Sequence, residues 1–239
     1  MTRPIEQEGQ AMKLPEIAAD PFPWPLERLE PQQAALVVID MQRDFCDPAG
    51  YVGQLGHELE PLRRPIPAIR RCLEAARTAG LTVIHTRQGY RPDLADQPHW
   101  QAILSKRRGA IVGAQGPLGR ILIRGEPGFQ IVEELQPLPG EIVLDKTANG
   151  AFTGTDLERI LTGIGVRALA FAGNTIDVCV HTSLREGNDR GYQCLLLPEA
   201  CGAIDQGLHD WSVRSVQVEG GVFGSVAKVE DFLRIADES

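Results

Sequence analysis

The chain has 239 residues, 43% of them hydrophobic, and a formal net charge of −8. That length and apolar content suit one sizeable buried core, and the negative balance argues against nucleic acid or an anionic membrane surface as a partner. No apolar run is long enough to span a bilayer, the polar opening MTRPIEQEGQ lacks a signal-peptide core, and five irregularly spaced cysteines are no disulfide framework, so a reducing cytoplasm is the expected compartment.

Residues 1–30 are rich in proline and charge around Asp20-Pro21-Phe22-Pro23-Trp24-Pro25, which forbids regular helix. They read as an extended N-terminal arm whose aromatics pack on the body or on a neighbouring subunit. Residues 31–239 read as a single domain. From Ala34 onward, apolar strand runs alternate with helical stretches. Strands are predicted at 34–40, 81–85, 141–145, 168–172, 193–197 and 225–229, and helices at 66–79, 129–135, 155–162, 178–189 and 208–218. Gly80 and Gly191 stand where helices end before a strand. Such alternation means βαβ units, and hence an α/β fold: one three-layer α/β/α domain whose parallel sheet is covered on both faces. Residues 87–128, dense in Gly, Pro and Arg, read as a long functional excursion over the strand ends.

Three chemically useful side chains end strands. Asp40 closes the run AALVVID, Lys146 follows EIVLD, and Cys179 lies just past Phe171-Ala172-Gly173, on the first turn of a helix. Strand carboxyl ends line one edge of a parallel sheet, so the three converge on one cleft. The unpaired N–H groups and dipole at a helix start favour the thiolate, which is the nucleophilic form of cysteine. Taken singly, each residue has a plainer role: a small buried hydrophobe for Cys179, a helix cap for Asp40, a surface charge for Lys146. The plain reading stands for Cys46, Cys72, Cys194 and Cys201. For the other three, joint placement at strand ends points to a hydrolase.

Ile39-Asp40-Met41-Gln42-Arg43-Asp44-Phe45, Lys146 after its strand, and Gly173 through Cys179-Val180 together resemble the isochorismatase-like cysteine hydrolases, from about Pro31 to the carboxyl terminus. The resemblance implies a six-stranded parallel sheet, a triad of Asp40, Lys146 and Cys179, and a cis peptide between Asn174 and Thr175. It also implies an oxyanion hole made by the backbone N–H groups of Thr175 and Cys179, with Phe45 facing the substrate. Asp40 then takes the thiol proton as Cys179 attacks a carbonyl, and returns it to the departing amine. Lys146 holds Asp40 ionised. Ile176 departs from the threonine of many members, which removes any polar side-chain contact made there. Neither metal nor cofactor is expected. The Asp-x-His spacing of nicotinamidase-type members is absent, and His57, His85, His99, His181 and His209 are scattered.

Within that superfamily, Asp20 through Pro25, Gly50-Tyr51-Val52, His85-Thr86-Arg87, Arg91 through Asp96, Arg124 through Gly128, Asn188 through Tyr192 and Gly220 through Ser225 are similar to biuret hydrolases. Those release ammonia from a terminal ureido amide. One position departs. Where biuret hydrolases carry glutamine before Gly-Gly-Val-Phe-Gly, this chain has Glu219, an acceptor only, suited to a guanidinium-like group. The substrate expected from Glu219 is guanylurea, as in guanylurea hydrolases, although a glutamate at a helix end is ordinarily a solvated charge. Biuret and another ureido compound such as ureidoacrylate are the alternatives, and a catalytically silent oligomeric binding module is the non-enzymatic one. The expected partner is a small ureido or guanidino molecule, and the resemblance implies a homo-oligomer, a tetramer or dimer.

Overall fold

Six apolar runs become the strands of one sheet: β1 (Ala34–Ile39), β2 (Thr82–Gln88), β3 (Ile142–Lys146), β4 (Ala168–Asn174), β5 (Gln193–Gly202) and β6 (Ser225–Val226). The computed structural model describes residues 13–237, so the first twelve residues of the expected arm lie outside it. Every adjacent pair in the six-stranded sheet is parallel, and the order is β3-β2-β1-β4-β5-β6. All six residues of β1 are buried, as a central strand covered on both faces requires. On one face Leu36, Val38 and Ala170 pack against Ile69, Leu73 and Ala76 of the helix Ile66–Ala79. On the other, Val37, Ile39 and Phe171 meet Leu161 and Leu184 of the helices Leu157–Gly163 and His181–Asp189. This is the expected three-layer α/β/α domain. Among the described residues, no helix is long and apolar enough to cross a membrane.

The chain builds outward from β1 through β2 to β3, then returns to the opposite side of β1 with β4. The strand order therefore reverses between β1 and β4, and the crevice beyond their carboxyl ends is the ligand position in sheets of this kind. Asp40 follows β1 directly, and Thr175 follows β4.

Several expected elements move. Strand β2 runs on to Gln88 and β5 to Gly202, while β6 shortens to two residues. The helix expected at 129–135 is replaced by two 3-10 turns, Pro127–Phe129 and Glu133–Leu135. Between them the backbone pairs elsewhere: Arg43 N donates to Gln130 O at 2.8 Å and Val132 N to Met41 O at 2.9 Å. An amide engaged in a bridge cannot also close a helical turn, so the apolar periodicity there misled. The helix expected at 208–218 is Gln206–Val216, opened by Asp205, whose side chain accepts from Leu208 N at 2.8 Å. The excursion holds a helix, His99–Arg108, and a small antiparallel ladder, Gln115–Gly116 with Gly119–Arg120. The arm from residue 13 onward packs on the body. Trp24 is buried, donates its ring N–H to Gln193 O at 3.0 Å, and lies 6.4 Å from the Phe232 ring.

One contact between the two central strands decides how close their ends come. Gly173 lies opposite Ile39, has φ +115°, and a Cβ there would stand 2.2 Å from the Ile39 carbonyl oxygen. Only glycine adopts that backbone at that distance. Gly173→Ala is therefore expected to lower unfolding stability by at least about 2 kcal/mol in urea denaturation. A loss under about 0.5 kcal/mol would mean that the two strand ends do not meet so closely.

Candidate active site

Asp40 leaves β1 with φ 49°, a left-handed turn that directs the chain away from the sheet. Its own N–H donates to Thr86 Oγ1 at 3.1 Å, and the Thr86 hydroxyl donates back to Asp40 Oδ1 at 2.6 Å. One carboxylate oxygen is thus fixed from the neighbouring strand. The other, Oδ2, lies 2.7 Å from Lys146 Nζ at the end of β3 but accepts no aligned hydrogen bond. Both side chains are almost wholly buried, 0% exposed for the lysine and 1% for the aspartate.

Lys146 spends its protons on Gln88 Oε1 at 2.9 Å, Asn149 O at 2.9 Å and Ala148 O at 3.0 Å. Gln88 is itself held. Its N–H donates to Gln42 Oε1 at 2.6 Å, its side-chain amide donates to Thr147 O at 2.9 Å, and Gln42 Nε2 donates to Gln88 O at 3.1 Å. Burial works to lower the Lys146 pKa, but the Asp40 charge and Cys179 outweigh it and hold the ammonium above its ordinary value. The lysine therefore stays charged in an apolar setting, which an unpaired amine does not do.

Cys179 rides in a π-turn, Ile176–Val180, between β4 and the helix His181–Asp189. The Thr175 carbonyl accepts from Val178 N at 3.2 Å and from Val180 N at 3.1 Å, the latter closing the wide turn. Turns of this type recur where a functional side chain is re-aimed. Behind Cys179, Ser183 Oγ donates to Cys179 O at 2.6 Å and accepts from Ala151 N at 3.0 Å. The peptide between Asn174 and Thr175 is cis, as expected.

One expectation about this thiol is overturned. Burial pushes Cys179 up to about 12, against the pull of Lys146 and with the Asp40 charge adding to the rise. Burial and the Asp40 charge thus oppose the thiolate that the helix start favours. The residue itself is half-buried because it opens onto a cavity, so water reaches its rim while the sulfur's charge is opposed from within.

That cavity, of about 510 Å³, has Cys179, Thr175, Asn174, Gln88 and Asn149 among its polar lining residues, and Phe45 stands in its apolar wall. Tyr51, Val52, Leu122, Val112 and Val178 complete much of that wall, with Tyr90, His57 and Arg108 also facing it. The structure thus brings together Asp40, Lys146, Cys179, Thr175 and Phe45. It does not bring Glu219 to them. Glu219 has φ 52° on an exposed turn after the helix Gln206–Val216 and does not line the cavity of its own chain. Ile176 is fully buried in the apolar core beneath the site, so no polar contact is missing at the cavity itself.

Sequence reasoning missed Thr86, Gln42, Gln88 and Asp44. Gln42 and Asp44 sit in the same short motif as Asp40, which was the available signal; Thr86 and Gln88 alternate at the end of a strand, where polar residues are unremarked. Asp44 is buried, is raised to about 6 by that burial, and accepts from Leu122 N at 3.0 Å, pinning the cavity wall. Of the histidines, His85 contacts Glu141 Oε2 at 3.2 Å, His181 accepts from Arg185 Nε at 3.0 Å, and His57 faces the cavity. Among the described residues no three His, Cys, Asp or Glu side chains are grouped to hold a metal ion.

A neutral resting thiol has a kinetic signature. The rate at which a small neutral haloacetamide alkylates Cys179 in the free enzyme should keep climbing from pH 7 to pH 10, since the thiol titrates only near 12. A rate already at plateau below pH 8 would show a preformed thiolate instead.

The isochorismatase domain model matches residues 34–231. Ureidoacrylate amidohydrolase RutB of Agrobacterium fabrum is 31% identical over 220 residues, covering 88% of this chain and 93% of its own length. The protein of the same name from Rhizobium rhizogenes is 32% identical over 235 residues, covering 95% and 90%. Among solved structures, a cysteine hydrolase from Pseudomonas syringae pv. phaseolicola superposes with a TM-score of 0.76 at 25% identity, covering 93% of this chain and 97% of the other. N-carbamoylsarcosine amidase from Thermoplasma acidophilum shares the fold, with a TM-score of 0.64 at 24% identity over 83% and 97% of the two chains. The parallel sheet, the strand-end site and these matches together place the chain in the isochorismatase family, among the isochorismatase-like cysteine hydrolases.

Proposed function

We propose that the protein is a cysteine amidohydrolase that cleaves the terminal C–N bond of a small ureido compound and releases ammonia, with no metal required. The observation that carries this reading is the buried Asp40–Lys146 pair beside Cys179, with Asp40 Oδ2 ion-paired yet free of any aligned hydrogen bond. That oxygen is the acceptor for the thiol proton. Cys179 sulfur attacks the terminal carbonyl as its proton passes to Asp40, and the backbone N–H groups of Thr175 and Cys179 stabilise the oxyanion. Asp40 then protonates the leaving nitrogen, ammonia departs, and an S-carbamoyl thiocarbamate remains. Asp40 next takes a proton from water, whose oxygen attacks the same carbon. The C–S bond breaks, and the proton returns to the thiol. Lys146 compensates the Asp40 charge before each proton is taken up.

The ureidoacrylate amidohydrolase relatives support a ureido group as the target. The intact constellation disfavours a silent binding module. The finer choice among guanylurea, biuret and ureidoacrylate depends on the far end of the molecule. Guanylurea needs a facing carboxylate, and Glu219, its advocate in the sequence, is exposed and off the cavity of its own chain. An acidic or neutral far end meets no such requirement.

Cys179→Ser should abolish ammonia release while circular dichroism stays native, because a serine hydroxyl is far harder to deprotonate than a thiol. Asp40→Asn should lower kcat by about 10²–10⁴-fold, having no proton to shuttle. Retention of most activity by either would remove that residue from the mechanism. Lys146→Met should be inactive and should also cost about 3–5 kcal/mol in stability, since it leaves a buried carboxylate unpaired. Native-like urea stability in that variant would contradict the buried pair. Glu219→Gln should leave the guanylurea-to-biuret ratio of kcat/KM within about twofold of wild type, as an exposed residue does. A shift of about tenfold towards biuret would instead show that Glu219 reads the substrate, reaching it from outside its own chain's cavity.

A further inference from the structure

We propose that the Asp44 carboxylate is a clasp that fixes the shape of the cavity, tying the excursion after β2 to the turn after β1, and that its protonation opens the clasp and weakens substrate binding. Asp44 does not itself line the cavity. It is a positioning residue, acting through Leu122 and Tyr51, which do. The kinetic consequence rests on the ureido hydrolase reading above; the clasp itself is independent of the reaction.

Two segments outside the main sheet supply apolar lining: Phe45, Tyr51 and Val52 after β1, and Tyr90, Val112 and Leu122 from the excursion. Asp44 is buried where they meet, 2% exposed. Its Oδ2 accepts from Leu122 N at 3.0 Å, and the Tyr51 backbone N–H also bonds to the carboxylate. Leu122 has φ 52°, a left-handed backbone that a leucine rarely adopts, so its place in the wall has to be held. Tyr90 N donates to Leu122 O at 2.9 Å, but Tyr90 belongs to the excursion as well. The bond to the Leu122 N–H is the one that comes from the turn after β1. The approach of the two segments is close. A Cβ on Gly128 would stand 2.5 Å from Asp44 Oδ1, and one on Gly116 would stand 2.8 Å from Gln54 Nε2. Beside the clasp, the Phe45 and Tyr51 rings meet edge to face at 6.3 Å.

Burial raises the Asp44 pKa to about 6, against the pull of the Leu122 and Tyr51 N–H groups and of the Arg43 charge. The charged and titratable groups around it are otherwise engaged or neutral. Arg43 pairs with Asp47 at 3.3 Å on the same turn, and Tyr51 brings a phenol. From the excursion, Arg120 holds the carbonyls of Gly113 and Pro92, and Arg124 meets Asp96 at 3.4 Å. A carboxyl raised in this way costs the fold stability as pH climbs from the ordinary carboxylate range to about 6, because the folded chain prefers it protonated. At neutral pH the charge is therefore held against that preference. What it supplies is acceptors alone, facing two N–H donors. Protonation sets a donor against a donor and loosens the hold on Leu122.

Hydrogen–deuterium exchange reads the clasp without any turnover. In wild type, residues 117–124 and 50–56 should exchange about tenfold faster at about pH 5 than at about pH 7.5 after correction for intrinsic rates, while β1 and β4 stay protected. In Asp44→Asn, whose amide offers one acceptor and turns donors towards the other N–H, the same two stretches should exchange fast at both values. Kinetics use whichever of biuret, guanylurea and ureidoacrylate is hydrolysed fastest. Asp44→Asn should raise KM about tenfold at neutral pH with kcat within about threefold, and should lose the acid limb that wild type shows in KM. His57 lines the same cavity, so His57→Gln is the control and should keep that limb. Wild-type protection of residues 117–124 that is equal at the two pH values overturns the clasp, as does an acid limb that survives Asp44→Asn. Exchange that quickens equally in β1 and β4 of the variant would show a general structural role instead. Absence of ammonia from all three compounds would sink the hydrolase reading, and the exchange result would still decide the clasp.

Discussion

The buried pair of Asp40 and Lys146 is the constraint on which the rest of the site depends. Two opposite charges 2.7 Å apart, both out of solvent, are tolerable only when every remaining proton and lone pair has a partner or a use. Thr86 satisfies one carboxylate oxygen, and Gln88, Ala148 and Asn149 satisfy the ammonium. The oxygen left without an aligned donor is the one available to a substrate-side proton. The architecture around it follows: β1 leads into Asp40, β2 carries Thr86 and Gln88, and β3 ends on Lys146, and their parallel register brings these groups close together.

The nucleophile is governed by the same pair. A cation lowers a thiol's pKa and a carboxylate raises it, so the two charges largely oppose each other at the sulfur while burial raises it further. Burial and charge balance therefore favour a neutral Cys179 thiol beside the buried pair. In the reaction proposed above, proton transfer and attack are coupled, so a thiolate need not be stored beforehand. This differs from cysteine sites in which an imidazolium or a helix start holds a thiolate in advance.

The cavity extends that logic outward. Its lining sets amide groups that suit a carbonyl and its nitrogen beside apolar side chains, one of which, Leu122, is braced by the buried carboxylate of Asp44. The wall comes from the short helical turns after β1 and from the excursion after β2, two segments with no pairing in the main sheet. Segments outside the sheet can change without disturbing the strand ends.

The alternation of apolar runs and helical stretches in the sequence was sufficient for the α/β class and for all six strands, because period and glycine stops are local properties of the chain. The strand-end positions of Asp40, Lys146 and Cys179 were legible for the same reason. What needed the tertiary structure was everything that arises from groups distant in sequence. The 127–135 segment spends the Val132 N–H on Met41 and the Gln130 carbonyl on Arg43, which no periodicity reports. Thr86, Gln42 and Gln88 acquire meaning only through a buried charge that they help to satisfy. The Cys179 pKa moved opposite to the expectation from its helix position, since desolvation and the Asp40 charge are sums over neighbours. Glu219 sits before its glycines as the motif suggested, but its distance from the cavity depends on how the chain turns there. Sequence by itself determined which residues end which strands; burial, charge balance and the reach of side chains into a shared cavity were decided by packing, because those energies depend on every atom nearby and on none in particular along the chain.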